Sequence, residues 1–147
     1  MQRSEQINEI IREWVTKAES DLKAASYLHR AREDRLTDAV CFHAQQCIEK
    51  YIKALLVMKN ISFPKIHDTA ALINRLPDKM PLLLSAEEQE LFSEYAVTVR
   101  YPGDIEPSLT EAGKAVRIAR RVRKDIRALL PKEALTPIRK RKGEKRT

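Results

Sequence analysis

The sequence contains few of the residues that mark tight turns, metal sites or disulfide frameworks. Its 147 residues include only three glycines, two cysteines and three histidines. So few glycines argue against a β-rich protein with many tight turns. Cys41 and Cys47 fall six positions apart on one predicted helix and point in different directions, which disfavours a disulfide between them. We therefore expect two buried thiols, no structural metal site and no cofactor.

Long apolar runs are also missing. No stretch reaches the roughly 18 apolar residues of a membrane-spanning helix, and the first residues open a charged amphipathic helix rather than a signal peptide. The length is that of one domain. We expect a cytoplasmic protein with no membrane segment.

Positive charge is concentrated at one end of the chain. The net charge is +7, and residues 132–147 hold seven Lys or Arg and two Glu, or +5. Residues 1–131 therefore carry only +2. The sequence predicts a folded body over residues 1–131 and a disordered basic tail over residues 132–147.

Apolar residues recur at helical spacing through most of the body, which predicts an all-α protein. Short connections between the helices favour an antiparallel up-and-down bundle of four to five helices. The predicted helices run from about Ser4 to Arg30, from Thr37 or Asp38 to about Lys59, from Asp68 or Thr69 to before Pro77, from Ser85 to before Pro102, and from Ser108 to Pro131.

The second predicted helix has apolar residues on more than one face. Its main stripe is accompanied by Phe42 and Leu56 on the far side, so two faces need burial. Such a helix lies at the centre of a bundle or between two subunits, and a homodimer would cover the second face. Its polar side carries His43, Gln46, Glu49, Lys50 and Lys53.

Asp21 lies close to the apolar stripe of the first helix, where an unpaired carboxylate would be costly. We expect it to pair with Lys50 or His43, in a structural polar cluster of Asp21, His43, Gln46 and Lys50. The alternative is that His43, Gln46 and Lys50 present hydrogen-bond donors to a phosphate or a nucleobase.

Four segments resemble one known family. Phe42-His43-Ala44-Gln45-Gln46, with Glu49-Lys50 and Lys53-Ala54-Leu55-Leu56 after it, is similar to the second helix of HEPN domains. These are small all-helical prokaryotic modules, often encoded beside a minimal nucleotidyltransferase. Asp21-Leu22 resembles the end of the family's first helix. His67-Asp68 resembles the start of its third helix, and Arg100-Tyr101-Pro102 resembles the end of its fourth. The resemblance implies a homodimer and a nucleotidyltransferase partner, as in a toxin–antitoxin-like pair.

The resemblance does not extend to the motif of the family's ribonucleases. Those proteins carry an Arg, four to six variable residues and a His, which would stabilise phosphate charge and transfer protons. Here seven residues separate Arg35 from His43, and no His follows Arg100. We therefore expect a non-catalytic nucleotide-binding or partner-binding module. A divergent ribonuclease using His43 is the alternative.

The candidate ligand contacts are Lys50, His67, Arg100 and Tyr101. Arg100 and Tyr101 offer a guanidinium and an aromatic plane to a nucleotide, although Arg100 could instead serve only the helix dipole. His67 lies at a helix N-terminus, where anions bind, but Asp68 as an N-cap also explains that pair. A further alternative is weak, salt-sensitive RNA binding through the basic tail and the basic face of the fifth helix. That face carries Arg117, Arg120, Arg121, Arg123, Lys124 and Arg127.

Overall fold

The computed structural model describes residues 2–77, 83–96 and 101–136. Within these ranges the chain forms five α-helices, two short 3₁₀ helices and no strand, which confirms the predicted all-α bundle. The α-helices are α1 (Gln2–Arg30), α2 (Thr37–Met58), α3 (Thr69–Ile73), α4 (Ala86–Tyr95) and α5 (Leu109–Arg127). None of the helices in these ranges has the length and apolar character needed to span a membrane.

Helix α2 is the centre of the bundle, as its two apolar faces predicted. It packs against α1 and α5 and also contacts α3 and α4. Leu56, on the second apolar face, is fully buried within the single chain, and Phe42 is half-buried. Leu56 is therefore covered by the chain itself and Phe42 only in part, so this face does not require a partner subunit, and the homodimer stays a prediction.

The start of α2 differs from the prediction. Neither Thr37 nor Asp38 is the N-cap, which is instead Leu36 in a helical conformation. The short 3₁₀ helix Asp34–Leu36 runs directly into α2, and the Thr37 hydroxyl donates to the Asp34 carbonyl at 2.9 Å. Residues 34–36, in the connection predicted between the first two helices, are therefore helical. The 3₁₀ turn takes the place of a side-chain cap at the start of α2.

The predicted stop of α2 at Asn60 is confirmed. Asn60 has a positive φ of 57°, and its N–H donates to the Val57 carbonyl at 3.0 Å. The Ile61 N–H donates to the Leu56 carbonyl at 2.9 Å. These two bonds form a Schellman motif, in which a left-handed residue satisfies the last carbonyls of the helix.

Both later N-caps are at the predicted serines. Ser85 Oγ accepts from the Glu88 N–H at 3.0 Å, and the Glu88 carboxylate accepts from the Ser85 N–H at 2.9 Å, which completes a capping box. Ser108 Oγ accepts from the Glu111 N–H at 3.0 Å. Each cap satisfies backbone donors that the helix itself cannot.

Helix α4 is shorter than predicted. It ends at Tyr95, whereas the sequence predicted a helix through Val99 that stops before Pro102. Val99 and Arg100 lie outside the described residues. Pro102 follows in an exposed turn, in which the Tyr101 N–H donates to the Asp104 carboxylate at 2.8 Å.

The packed chain continues beyond Pro131, where the sequence predicted the start of a disordered tail. Lys132–Leu135 form a 3₁₀ helix that packs on α1. Ala134 is fully buried, and the Arg12 guanidinium donates to the Glu133 carbonyl. The apolar residues Ala134 and Leu135 attach this otherwise charged segment to the core. A prediction based on the number of charges alone did not indicate this contact. Residues 137–147 of the predicted tail lie outside the described residues.

Cys41 and Cys47 are both fully buried, in agreement with the expected role of small apolar residues. Burial raises the pKa of the Cys47 thiol far above its usual value. Both thiols therefore belong to the core.

Candidate functional site

The structure brings three members of the expected polar cluster together. His43 Nδ1 lies 2.9 Å from Asp21 Oδ1, and the Lys50 ammonium donates to Asp21 Oδ2. Asp21 is buried between α1 and α2, so its carboxylate is satisfied by two side chains from the neighbouring helix. This geometry accounts for all three residues as a clasp between the two helices.

Gln46, the fourth member, has a different partner. Its amide donates to Gln45 Oε1 at 2.7 Å, and the Gln45 amide donates to the Thr69 hydroxyl at 3.0 Å. All three side chains are buried, and they connect α2 to the first residue of α3. Gln46 therefore joins a separate network that holds the short α3 in place.

His67 takes part in a buried ion cluster that the sequence analysis missed. Its Nδ1 lies 3.0 Å from Glu49 Oε2, and the Lys53 ammonium lies 3.5 Å from the same oxygen. The side chains of Glu49 and Lys53 are 1% and 6% exposed, whereas that of His67 is 71% exposed. The Lys53 ammonium also lies 5.2 Å from the centroid of the Trp14 ring and 5.9 Å from that of Phe63. Gln46, Glu49 and Lys53, three of the five residues that the sequence placed on the polar side of α2, are therefore buried.

The other predicted contacts do not join these clusters in the described residues. Tyr101 is 72% exposed in the connection between α4 and α5, and Arg100 lies outside the described residues. Asp68 caps α3 by accepting from the Ala71 N–H at 3.1 Å, which is the structural explanation of the His67-Asp68 pair. Lys50 and His67 are bound to different carboxylates, those of Asp21 and Glu49 respectively.

A second arrangement lies where α1 and α5 meet. Glu19 Oε1 accepts from Arg123 Nε at 2.7 Å, from Arg127 Nη1 at 3.1 Å and from the Tyr51 hydroxyl at 2.7 Å. One carboxylate oxygen thus connects α1, α2 and α5. Burial, together with the hydrogen bond to Glu19, raises the pKa of Tyr51 far above its usual value, so the hydroxyl remains a donor.

The same carboxylate holds the two arginines in fixed positions. Burial alone would lower the pKa of Arg123, but the hydrogen bond to Glu19 and its negative charge outweigh that effect and raise it. A guanidinium has five N–H donors, so both arginines keep donors beyond those bound to Glu19. Arg123 and Arg127 remain partly exposed, so these donors can reach a ligand at the surface.

Two adjoining cavities border this carboxylate, and we name each by one of its lining residues. The Leu135 cavity has a volume of about 370 Å³ and is bounded by α1, α5 and the segment after α5. Its lining residues are Val15, Thr16, Glu19, Ser20, Lys23, Arg123, Arg127, Leu135 and Thr136. The Lys124 cavity, of about 600 Å³, shares Glu19, Lys23 and Arg123 and adds Leu22, Ser26, Arg120 and Lys124.

The chemistry of these cavities is that of an anion site. Five cationic side chains line the two cavities against one carboxylate. Guanidinium groups bind the oxygens of phosphate and carboxylate in a fixed fork geometry. Among the described residues, no group of three or more His, Cys, Asp or Glu side chains lies close enough to hold a metal ion.

The basic residues of α5 were predicted to lie on its outer face. Their proximity to Glu19, Lys23 and Tyr51 was not predicted. A usable signal was present. Glu19 falls four positions after Val15 and three before Leu22, so it borders the apolar stripe of α1 as Asp21 does. A carboxylate in that position needs a partner, and α5 supplies two.

The comparisons with known proteins agree with the motifs. The model of the HEPN domain matches residues 11–129, which is most of the sequence. The chain belongs to the HEPN domain family, as the sequence motifs indicated. No curated protein matches the sequence significantly.

Two solved structures share the fold. The TT1696 protein from Thermus thermophilus has a TM-score of 0.69 and 22% identity, over 83% of this chain and 99% of its own. ST0689, described as an archaeal HEPN homologue, has a TM-score of 0.60 and 22% identity, over 81% of this chain and 96% of its own. At this identity both likenesses concern the fold alone.

Proposed function

We propose that the chain is a non-catalytic HEPN-type module that binds a nucleotide in the Leu135 cavity. The observation that carries this proposal is the presence in one cavity of apolar side chains, Val15 and Leu135, beside basic ones, Lys23, Arg123 and Arg127, which we call the basic wall. A nucleotide likewise combines an apolar base with a charged phosphate. The volume of about 370 Å³ falls in the range of roughly 300–1,000 Å³ typical of small-molecule sites.

Preorganisation of the basic wall supports the proposal. Arg123 and Arg127 are held by Glu19, which is itself fixed by the Tyr51 hydroxyl at 2.7 Å. A ligand phosphate therefore loses little free energy in ordering the two guanidinium groups.

The contacts predicted from the sequence are weaker candidates. A ligand at Lys50 would compete with Asp21, and one at His67 would compete with Glu49. Either exchange removes one of the two partners of a largely buried carboxylate, which is costly. Arg100 and Tyr101 stay a prediction for a second contact region.

We propose a binding role because the sequence lacks the Arg-x4–6-His spacing of the family's ribonucleases.

Family membership supports a minimal nucleotidyltransferase as the partner, in a toxin–antitoxin-like pair, because such genes are often neighbours. The family is often dimeric, which supports a homodimer. Light scattering after size exclusion tests the dimer, and copurification with the product of a neighbouring nucleotidyltransferase gene tests the partner.

Thermal unfolding with added nucleotides tests the binding site. A ligand at one hundred times its dissociation constant adds about 2.7 kcal/mol to the free energy of unfolding. That corresponds to a rise in Tm of roughly 10 °C for about 130 ordered residues. We expect Lys23→Ala to reduce the rise and Lys17→Ala, a matched change at an exposed lysine of α1 outside the cavity, to leave it unchanged.

Two results would reject the proposal. One is no change in Tm with any mononucleotide or with pyrophosphate at millimolar concentration. The other is an equal rise for wild type and Lys23→Ala, which would place the ligand elsewhere.

A further inference from the structure

A third cavity extends the basic lining toward the start of α5. This Arg32 cavity has a volume of about 240 Å³ and is lined by His29, Arg32, Leu109, Thr110, Gly113 and Arg117. It lies along the same interface between α1 and α5 as the Lys124 cavity, which is lined by Ser26 and Arg120. His29 follows Ser26 by three residues on α1, and Arg117 precedes Arg120 by three residues on α5. Three residues are about one helical turn, so the Arg32 cavity is the next step beyond the Lys124 cavity.

Contacts across the two helices fix this order. Glu19 meets Arg123 and Arg127, and the Arg120 guanidinium donates to the Ser26 hydroxyl at 3.0 Å. Further along α1, the His29 ring lies against Gly113, where an added Cβ would fall 3.0 Å from Nε2. Residue numbers rise on α1 as they fall on α5, so the helices run antiparallel and the three cavities form one line, which we call the α1–α5 groove.

The groove is basic along its whole length. Seven Lys or Arg side chains line it against a single carboxylate, that of Glu19. The cations are Lys23, Arg32, Arg117, Arg120, Arg123, Lys124 and Arg127. The Leu135 cavity has two apolar lining residues, Val15 and Leu135, whereas the Lys124 and Arg32 cavities have one each, Leu22 and Leu109. The linings of the other two cavities include no aromatic ring other than that of His29.

The length of the groove exceeds what a single nucleotide needs. Arg127 lies ten positions after Arg117, which corresponds to about 15 Å along the helix. At about 3.4 Å per phosphate in a stacked strand, this distance corresponds to roughly four phosphates. A mononucleotide in the Leu135 cavity would leave Arg117, Arg120 and Lys124 without an anion.

We propose that the α1–α5 groove binds a linear chain of phosphate groups, as in single-stranded nucleic acid or inorganic polyphosphate. The proposal rests on the anion site of the proposed function and extends it. One end unit occupies the Leu135 cavity, and the following phosphates lie along Lys124, Arg120 and Arg117. Affinity comes from the phosphates, because the lining away from the Leu135 cavity offers cations rather than surfaces that read a base.

Fluorescence anisotropy with a labelled octauridylate tests the proposal, with uridine monophosphate as the short ligand. The double variant Arg120→Ala/Lys124→Ala removes cations of the Lys124 cavity only. Arg120 and Lys124 are both exposed, so we expect the variant to fold, and circular dichroism checks this. Lys114→Ala is the matched control, since Lys114 is exposed on α5 and lines none of the three cavities.

We expect the octamer to bind at least tenfold more tightly than the monophosphate. The double variant should weaken octamer binding by about tenfold and change monophosphate binding by less than twofold. With roughly four phosphates bound, raising the salt from about 50 to about 200 mM should weaken octamer binding on the order of fiftyfold. Inorganic polyphosphate should displace the octamer, and the tighter binder of the two identifies the source of the chain.

Other results would overturn the inference. If octamer and monophosphate bind equally, or if the double variant behaves like Lys114→Ala, the groove does not hold a chain, and the nucleotide site of the Leu135 cavity survives. If polyphosphate fails to displace a bound octamer, recognition depends on the bases rather than on the phosphates. If no phosphate ligand binds, the proposed function fails together with this inference.

Discussion

Replacing Lys53 by methionine should lower the free energy of unfolding by about 3 kcal/mol. Lys53 neutralises Glu49 at 3.5 Å, and the two side chains are 6% and 1% exposed. Methionine keeps most of the length of the side chain, so the loss reports the missing charge, including its attraction to the Trp14 ring, rather than a cavity.

The magnitude follows from the burial of Glu49. Breaking a buried ion pair by removing one partner costs about 3–5 kcal/mol, because a buried charge is left without compensation. His67 still lies 3.0 Å from the carboxylate, so we expect the lower end of that range. With an unfolding entropy of about 2.1 cal/mol/K per residue over about 130 residues, 3 kcal/mol lowers Tm by roughly 11 °C.

Urea unfolding followed by far-ultraviolet circular dichroism measures the effect, with an unchanged m-value as the sign of an intact fold. Lys17→Met, at an exposed position on α1, should stay within about 0.5 kcal/mol of wild type. In the double variant Glu49→Gln/Lys53→Met, removing the unpaired charge should recover about 1–2 kcal/mol. A loss below about 1 kcal/mol in Lys53→Met, or strictly additive losses in the double variant, would refute the reasoning.

Three further predictions concern other charged and hydroxyl groups. Asp21→Asn should cost about 1–3 kcal/mol in urea unfolding, because a buried ion pair becomes a neutral contact; a cost near zero would contradict the clasp. The hydrogen bond from Arg121 lowers the pKa of Glu88. The ionised Glu88 therefore stabilises the fold above about pH 4.3, and this contribution is lost as the pH falls. Glu88→Gln should lose less stability than wild type when urea unfolding is measured at decreasing pH. Burial raises the pKa of Tyr51 and of Tyr95, so above about pH 10 these hydroxyls ionise only in the unfolded chain. The free energy of unfolding should then fall by about 1.4 kcal/mol per pH unit for each tyrosine. The fall should be shallower in Tyr51→Phe.

The helix boundaries show where local sequence is sufficient. Ser85 and Ser108 are caps because a hydroxyl three residues before a suitable N–H satisfies it wherever the helix lies. Asn60 ends α2 because asparagine tolerates a positive φ. The cap of α2 was mispredicted because the 3₁₀ turn before Thr37 depends on the path of the chain between α1 and α2 rather than on one side chain.

The candidate site shows where local sequence is insufficient. Asp21 could be assigned a partner because its neighbours on α2, His43 and Lys50, lie on a helix certain to pack against it. Glu19 meets Arg123 and Arg127 more than one hundred positions away, and no pattern along the chain states which faces of α1 and α5 will meet. Long-range pairing of charges is decided by packing geometry.

The family, the helical content and the central position of α2 could be predicted along the chain, because the period of apolar residues and the chemistry of the caps are local properties. Which charges are buried and which line a groove follows only from the packing of the helices. Gln46, Glu49 and Lys53 belong to the row predicted on the polar side of α2, but they lie inside the bundle. The basic residues of α5 read as a solvated face, but several of them border α1 around a single carboxylate. Whether a charge faces water or a neighbouring helix depends on how helices distant in sequence pack together.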